Sequence, residues 1–292
     1  QSDFMTISIP STLKEIHMRA FEFCRNLQQL EIPENSQLRS IKTRSFFNTQ
    51  IESISIPPNL VELEDGWCNN TSKLNEIKMI GNNPFFKLYN NTFILRKSTP
   101  DKKDFDVLVF SVRNISTLTL PNYTEIISPY AFHKCVNIEK VDIENNSKLR
   151  IIGEFAFFET LIKSVYIPSS VTNICDWAFC GCYRLENVEF GPNSQLKIIG
   201  PKAFASTSIE KISIPIHVTK ICEEAFELCK KLKTVEIQEN SELETIEKSA
   251  FSDTSIEYFF IPPKLTDLSP SWATSTKITK IEISQNNTRY RI

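Results

Sequence analysis

The chain has 292 residues and 33 Lys and Arg against 35 Asp and Glu, a formal net charge of −2 that gives no electrostatic reason to expect nucleic acid or an anionic membrane. Six glycines are too few to argue for a Gly-rich phosphate loop, whereas a hydrophobic content of 41% supports a buried core. No apolar run approaches the ~20 residues of a membrane span, and Gln1 opens directly into a repeat with no signal-like segment, as in a mature protein or an excised piece.

Taken in chain order, the sequence is one pattern written many times. The frame A-F-x-x-C-x-x-L/I-x-x-V/L-x-I occupies Ala20–Ile32 and returns at Ala131–Ile143, Ala178–Phe190 and Ala225–Ile237. A second frame alternates with it, A-F-x-x-T-x-I-x-x-I-x-I-P, at Ala203–Pro215 and Ala250–Pro262, with variants from Ser45 and Ala156. The last apolar residues of successive frames are Ile9, Ile32, Ile56, Met79, Leu120, Ile143, Ile167, Phe190, Ile214, Ile237, Ile261 and Ile283, in steps of 22 to 24 with one step of 41. A fixed period in this range marks a solenoid, whose units bury their apolar faces only by stacking. The expected organisation is one domain over residues 1–292, about twelve coils with an irregular insertion at 81–113. Alternations such as Leu185-x-x-Val188-x-Phe190 place successive side chains on opposite faces of a short strand. Equivalent strands one coil apart then pair in parallel, and twelve of them would span roughly 55 Å. Proline follows many strand ends, where it has no ladder amide to lose.

The string I-P-x-x-V-T-x-I-x-x-x-A-F-x-x-C-x-x-L-x-x-V-x-I, which Ser164–Phe190 follows almost position for position, resembles the BspA-type leucine-rich repeats. The resemblance implies an α/β repeat solenoid, a right-handed leucine-rich-repeat coil with a parallel concave β-sheet and short helical or 3-10 turns on the convex side. It further implies a non-enzymatic protein without cofactors, secreted or at the surface of mucosal bacteria or parasitic protists, that adheres to host or matrix proteins or to other cells. The alternative from another class is an intracellular structural scaffold.

The step of 41 contains two apolar-rich runs, Thr92–Arg96 and Phe105–Phe110, around the polar turn STPDKKD, which reads as a hairpin. It is either a degenerate pair of coils tolerated by the stack or a projecting ligand-binding element, with Phe93 and Phe105 as its candidate contacts.

Of the eight cysteines, Cys24, Cys135, Cys182 and Cys229 share one frame position and Cys175 and Cys222 another; Cys68 is grouped with the first set, and Cys180 is out of register. Equivalent cysteines two coils apart stand about 10 Å from each other, beyond the ~7 Å a disulfide tolerates. They are expected as a buried ladder of small apolar residues rather than a disulfide framework. His17, His133 and His217 lie in distant coils, so neither a catalytic triad nor a metal centre is expected. Sequons at Asn69, Asn70, Asn90, Asn114, Asn122, Asn145 and Asn286 are candidate glycan acceptors and point to a secretory route. Unpaired thiols point the other way, toward the cytoplasm.

The residue before each frame's last apolar position should face solvent. That column is small or charged except at Tyr166 and Phe260, with Tyr258 on the same face as Phe260. Exposed aromatics are usual anchors of protein interfaces, so these three are candidate partner contacts, with Glu236 and Glu282 as a charged rim. The chain enters on a half-repeat with no polar capping repeat visible at either end. Thr6–Ile9 and Ile281–Ile283 are therefore expected to be covered by further chain or by neighbouring molecules, with end-to-end self-association one way to do so.

Overall fold

The computed structural model describes residues 4–144 and 146–290. The chain forms two compact units, one running to Ile115 and including Ile127–Asn137, the other made of Ser116–Ile126 and the chain from Ile138 onward. Each is a stretch of parallel β-solenoid, and the coils of the two together number about twelve.

Each regular coil contributes a first strand and a two-residue second strand. The first strands are β1 (Thr6–Ser8), β3 (Gln29–Glu31), β5 (Ser53–Ile56) and β7 (Glu76–Met79) in the first unit. In the second unit they are β11 (Thr117–Thr119), β13 (Lys140–Asp142), β15 (Ser164–Ile167), β17 (Asn187–Phe190), β19 (Lys211–Ser213), β21 (Thr234–Glu236), β23 (Tyr258–Ile261) and β25 (Lys280–Ile283). The second strands are β2 (Glu15–Ile16), β4 (Ser40–Ile41) and β6 (Glu62–Leu63) in the first unit, and β14 (Ile151–Ile152), β16 (Asn173–Ile174), β18 (Ile198–Ile199), β20 (Lys220–Ile221), β22 (Thr245–Ile246) and β24 (Asp267–Leu268) in the second. The corresponding pair in its own coil is β12 (Ile126–Ile127).

The second strands of the second unit form an unbroken parallel ladder from β14 to β24. The first strands do not, which corrects the expectation of one continuous sheet. Pairing is full where a Thr-frame strand meets the strand of the next coil, as in Ser164↔Asn187 to Ile167↔Phe190, Lys211↔Thr234 to Ser213↔Glu236 and Tyr258↔Lys280 to Ile261↔Ile283. At the opposite junctions the ladder thins to one pair between β13 and β15, Lys140↔Ser164, and is broken between β17 and β19 and between β21 and β23.

The expected helical or 3-10 turns are absent: among the described residues there is no helix. The reason lies in how the amides of the A-F segment are divided. The amides of Ala178, Cys180 and Cys182 bond locally to the carbonyls of Cys175, Trp177 and Phe179, whereas those of Trp177, Phe179 and Gly181 cross to Pro201, Ala203 and Ala205 of the next coil. A helix would spend every amide within its own segment, but alternate amides spent on the neighbour bind the stack together. The alternation requires left-handed backbone at every fourth residue, φ 59° at Trp177 and 71° at Gly181, which is why glycine fits the second of these positions.

Inside the second unit the frame phenylalanines form a column, Phe157, Phe179, Phe204, Phe226 and Phe251, all fully buried. Their rings lie 5.1 to 5.4 Å apart and within 8° of parallel. The Cys and Thr positions form a second column. The Cys182 thiol donates to the Phe157 carbonyl at 3.0 Å and touches Thr160 Oγ1 at 3.3 Å; Cys229 does the same with Phe204 and Thr207, both at 3.1 Å. The cysteines are therefore hydrogen-bonding members of a mixed Cys/Thr ladder, and the next residue along that ladder is a threonine with which no disulfide can form. All eight cysteines are free.

Cys68 is corrected. The amides of Phe21 and Phe46 bond to the carbonyls of Ser45 and Trp67, the residues preceding Phe46 and Cys68. Cys68 thus occupies the phenylalanine position, and Thr71, which donates to the Phe46 carbonyl at 3.0 Å, takes the ladder position. The missing ring is replaced by the Trp67 indole, 6.1 Å from Phe46 and 5.3 Å from Phe110.

The insertion is a three-stranded antiparallel meander, β8 (Phe86–Tyr89), β9 (Phe93–Arg96) and β10 (Val107–Ser111). The expected hairpin is β9 with β10, bulged between Leu108 and Phe110; β8 was not foreseen.

Candidate functional site

The face presented by the first strands of the second unit follows from strand alternation. In β23, Phe259 and Ile261 point into the core, Tyr258 is exposed and Phe260 half-buried. In the same column two pairs are self-satisfied: Ser8 donates to Glu31 in the first unit and Ser213 to Glu236 in the second. Opposite Glu282 stands Phe260, which has nothing to donate. The Tyr258 hydroxyl reaches Glu282 instead, at 3.1 Å, and Lys280 lies 5.3 Å from the Tyr258 ring. Partial burial, and then the Glu282 carboxylate, push the Tyr258 phenol above its usual range. Glu236 is held below the usual carboxylate range by Lys211, 2.6 Å away, and by Ser213.

Tyr166 has a different environment from Tyr258. A Cβ added to Gly191 would come within 2.7 Å of the Tyr166 hydroxyl and of the Ser169 amide. Glycine at 191, where the other Cys-frame coils have residues with side chains, is what lets the tyrosine lie down along the strand. Beside it, at the broken junction between β17 and β19, opens a cleft of about 470 Å³ lined by Glu189, Gly191, Asn193, Ser213 and Gln238 among others.

The insertion differs from expectation in its aromatic residues. Phe93 is 1% exposed, stacked on Tyr89 at 5.0 Å, and so is withdrawn from any partner. Phe105 is half-buried, with the Lys97 ammonium 5.4 Å from its ring. The exposed aromatic of this region is Phe85, which sequence reasoning passed over because nothing in the repeat frame singles it out.

The sequons divide by exposure. Asn90, Asn114, Asn122 and Asn286 are exposed, and Asn70 is half-buried with its amide on Asn48 at 3.0 Å. Asn69 is buried and cannot carry a glycan in the folded chain; Asn145 lies outside the described residues.

One buried charged group escaped the sequence reading. Arg113 is 2% exposed, its Nη1 3.3 Å from the Ala131 carbonyl and 3.0 Å from Cys135 Sγ, its guanidinium 4.5 Å from the Phe110 ring. Burial, then Arg113, push the neighbouring His133 down to about 3. Burial pushes the thiols of Cys68 and Cys135 up. Among the described residues no group of three His, Cys, Asp or Glu could hold a metal. No helix among the described residues is long and apolar enough to cross a membrane.

Comparison with known proteins agrees with this geometry. A leucine-rich repeat protein from Eubacterium ventriosum superposes with a TM-score of 0.77 at 18% identity, over 94% of this chain and 83% of its own. The pneumococcal vaccine antigen PcpA gives 0.67 at 18%, over 97% and 68%. A leucine-rich cell surface protein from Faecalibacterium prausnitzii gives 0.61 at 21%, over 96% of this chain, which spans only 59% of that protein's length. Nothing among curated proteins matches the sequence. The profile of the BspA type leucine-rich repeat region, in six copies, matches residues 1–98, 104–198 and 197–291. Nearly every coil falls within those matches, and the chain belongs to the BspA-type leucine-rich repeat family.

Proposed function

We propose that this chain is a non-enzymatic recognition module of a secreted or cell-surface adhesin, binding host, matrix or cell-surface proteins through the strand face around Tyr258 and Phe260. The observation that carries the reading is that Phe260 stands where the Ser–Glu pairs have their serine, with Tyr258 two residues before it on the same face, in a column that apart from Tyr166 is otherwise small or charged. Phe259 already fills the core there, so neither ring is needed for packing. Glu236 and Glu282 flank the pair, and Tyr166 is a further contact on the same face. Surface exposure is supported by the cell-surface and vaccine-antigen neighbours and by the four exposed sequons, which would carry glycans in a secretory route.

The test is binding of the chain to immobilised extracellular-matrix extract, wild type against Tyr258→Ala with Phe260→Ala. Truncating an anchor pair costs on the order of 2 kcal/mol, roughly thirtyfold in affinity, with an unchanged circular dichroism spectrum. Unaltered binding would remove the site from this face. The eight free thiols favour a second reading, an intracellular scaffold. Labelling of intact source cells with a membrane-impermeant reagent separates the two, since a scaffold stays unlabelled.

A further inference from the structure

Within the first unit, the meander borders a cleft of about 340 Å³ lined by Val61, Pro84, Phe85, Arg96, Lys97 and Pro100 among others. Val61 is 46% and Phe85 44% exposed, large apolar side chains left in water at one place. The backbone holds Phe85 there. Asn83 accepts the amides of Phe85 and Phe86 at 2.8 and 2.9 Å, and donates to the carbonyls of Pro57 and Leu60 at 2.8 and 2.9 Å. This buried side chain fixes the turn so that Phe86 enters the core and Phe85 faces out.

Arg96 and Lys97 supply the charge. Elsewhere in this unit Lys42 pairs with Glu62 and Glu64, Arg44 with Glu22, Lys78 with Glu76 and Lys102 with Asp106. Among the described residues, neither Arg96 nor Lys97 has an ion-pair partner: Arg96 donates to the Lys97 carbonyl at 3.3 Å, and Lys97 rests over Phe105. Asp65 lies within electrostatic range of Arg96 without forming an ion pair with it; burial raises its carboxyl above the usual range, and Arg96 opposes that. Two cations without ion-pair partners beside two exposed apolar side chains complement a ligand that carries both features.

We propose that this cleft binds an acidic peptide segment of a partner protein, with an aromatic anchor seated between Phe85 and Val61 and an adjacent carboxylate on Arg96 and Lys97. Apolar contact supplies the anchor, and the cations select the flanking charge. The site is separate from the strand face and is read with its own variants, so failure of either proposal leaves the other standing.

The probe is a fluorescein-labelled pentapeptide, Gly-Asp-Phe-Asp-Gly, titrated into the full chain and followed by anisotropy, with Gly-Lys-Phe-Lys-Gly and Gly-Asp-Ala-Asp-Gly as controls. The acidic aromatic peptide should bind at least tenfold more tightly than either control and weaken as salt is raised. Phe85→Ser should lower its affinity at least fivefold. Both Phe85 and Lys97 are on the surface, so these variants should keep the wild-type circular dichroism spectrum. Lys97→Glu should weaken the acidic peptide and strengthen the lysine peptide, a reversal that unfolding cannot mimic. No binding of the acidic peptide, equal binding of the lysine peptide, or indifference to Phe85→Ser would overturn the assignment.

Discussion

Replacing Arg113 with methionine should leave the protein as stable as before or make it more stable, an unusual expectation for a core residue. The buried guanidinium has no carboxylate partner among the described residues, and its Nη2 makes no hydrogen bond. Taking such a cation out of water costs several kcal/mol even after relaxation. Against this stand one charge-assisted bond to the Ala131 carbonyl, worth about 1.5–3 kcal/mol, a contact with the weak acceptor Cys135 Sγ at 3.0 Å, and the Phe110 contact, worth up to about 2 kcal/mol when desolvated. These terms nearly cancel. Methionine removes all of them while filling much of the same volume with a flexible apolar chain. The Ala131 carbonyl is not orphaned, because the Ser111 amide also donates to it, at 3.2 Å. Arg113→Met is therefore expected to change stability by about 0 to +2 kcal/mol, whereas Arg113→Ala, which leaves a cavity, should lose about 2–4 kcal/mol. Urea unfolding followed by tryptophan fluorescence reads both, since Trp67 lies in the same cluster. A loss of more than about 2 kcal/mol in Arg113→Met would refute the reasoning and mean that something balances the cation in the native state.

Phe204→Ala, which removes a ring from the middle of the stack, should cost about 3–5 kcal/mol in urea titrations, and a cost below about 1 kcal/mol would show that the column is not what holds the coils together. In the folded chain at pH 8, iodoacetamide should fail to modify Cys180, Cys182, Cys222 and Cys229, whose thiols burial pushes up to about 11 or 12, while all eight should react after unfolding. A Cys182–Cys229 crosslink in the mass spectrum would contradict the Cys/Thr ladder. Partial burial and the neighbouring Glu224 carboxylate push Glu227 up to about 7, so its folded-state pKa is above its unfolded value. Its contribution to stability is complete below about pH 4.5 and lost as pH rises toward 7. Thermal melts of Glu227→Gln should lack that part of the decline between pH 5 and 8, and an identical decline in both proteins would dismiss it.

Where the sequence repeats, its fold was legible; where it departs from the repeat, it was not. Strand positions and faces could be read at β23 because Phe259 and Ile261 repeat the core positions of every other coil, leaving Tyr258 and Phe260 outside. The absence of helix was not legible, because A-F-x-x-C has ordinary helix-forming residues and only the neighbouring coil's carbonyls divert alternate amides. Cys68 reads from the sequence as a member of the cysteine ladder, whereas the backbone places it three residues earlier in the frame, at the phenylalanine position, with the Trp67 indole in place of the lost ring. Ser271-Trp272-Ala273 carries the same substitution, the Phe251 amide bonding to the Trp272 carbonyl, so tryptophan before a small residue was the available signal. Phe93 was chosen for being aromatic within an insertion, yet a meander also needs a core, and Phe93 with Phe86 and Phe110 provides it. Arg113 gave no signal, since nothing in VFSVRN distinguishes a buried arginine from a solvated one.

The stacking that makes these coils stable also limits where specificity can reside. A side chain repeated in every coil meets its own kind above and below, as Phe204 does between Phe179 and Phe226, and its surface counterpart is satisfied in the same way, as Ser213 is by Glu236. Such columns contribute cohesion and offer a partner nothing that one coil has and the next lacks. Discrimination needs a local break in the pattern. The breaks described here have distinct physical causes: an aromatic pair where serine would satisfy a glutamate, a glycine at 191 that lets Tyr166 lie down, and an asparagine at 83 that turns Phe85 outward beside Arg96 and Lys97. Asn287 shows what Asn83 contributes. It makes the same four bonds, donating to the carbonyls of Pro262 and Leu265 at 2.7 and 3.0 Å and accepting the amides of Arg289 and Tyr290 at 2.9 and 2.7 Å. The turn is thus a reusable device, and what differs between its two uses is the side chain two residues on, Phe85 in one and Arg289 in the other. A ligand that reads an apolar anchor flanked by cations can distinguish these two sites even though their backbones follow the same hydrogen-bond pattern.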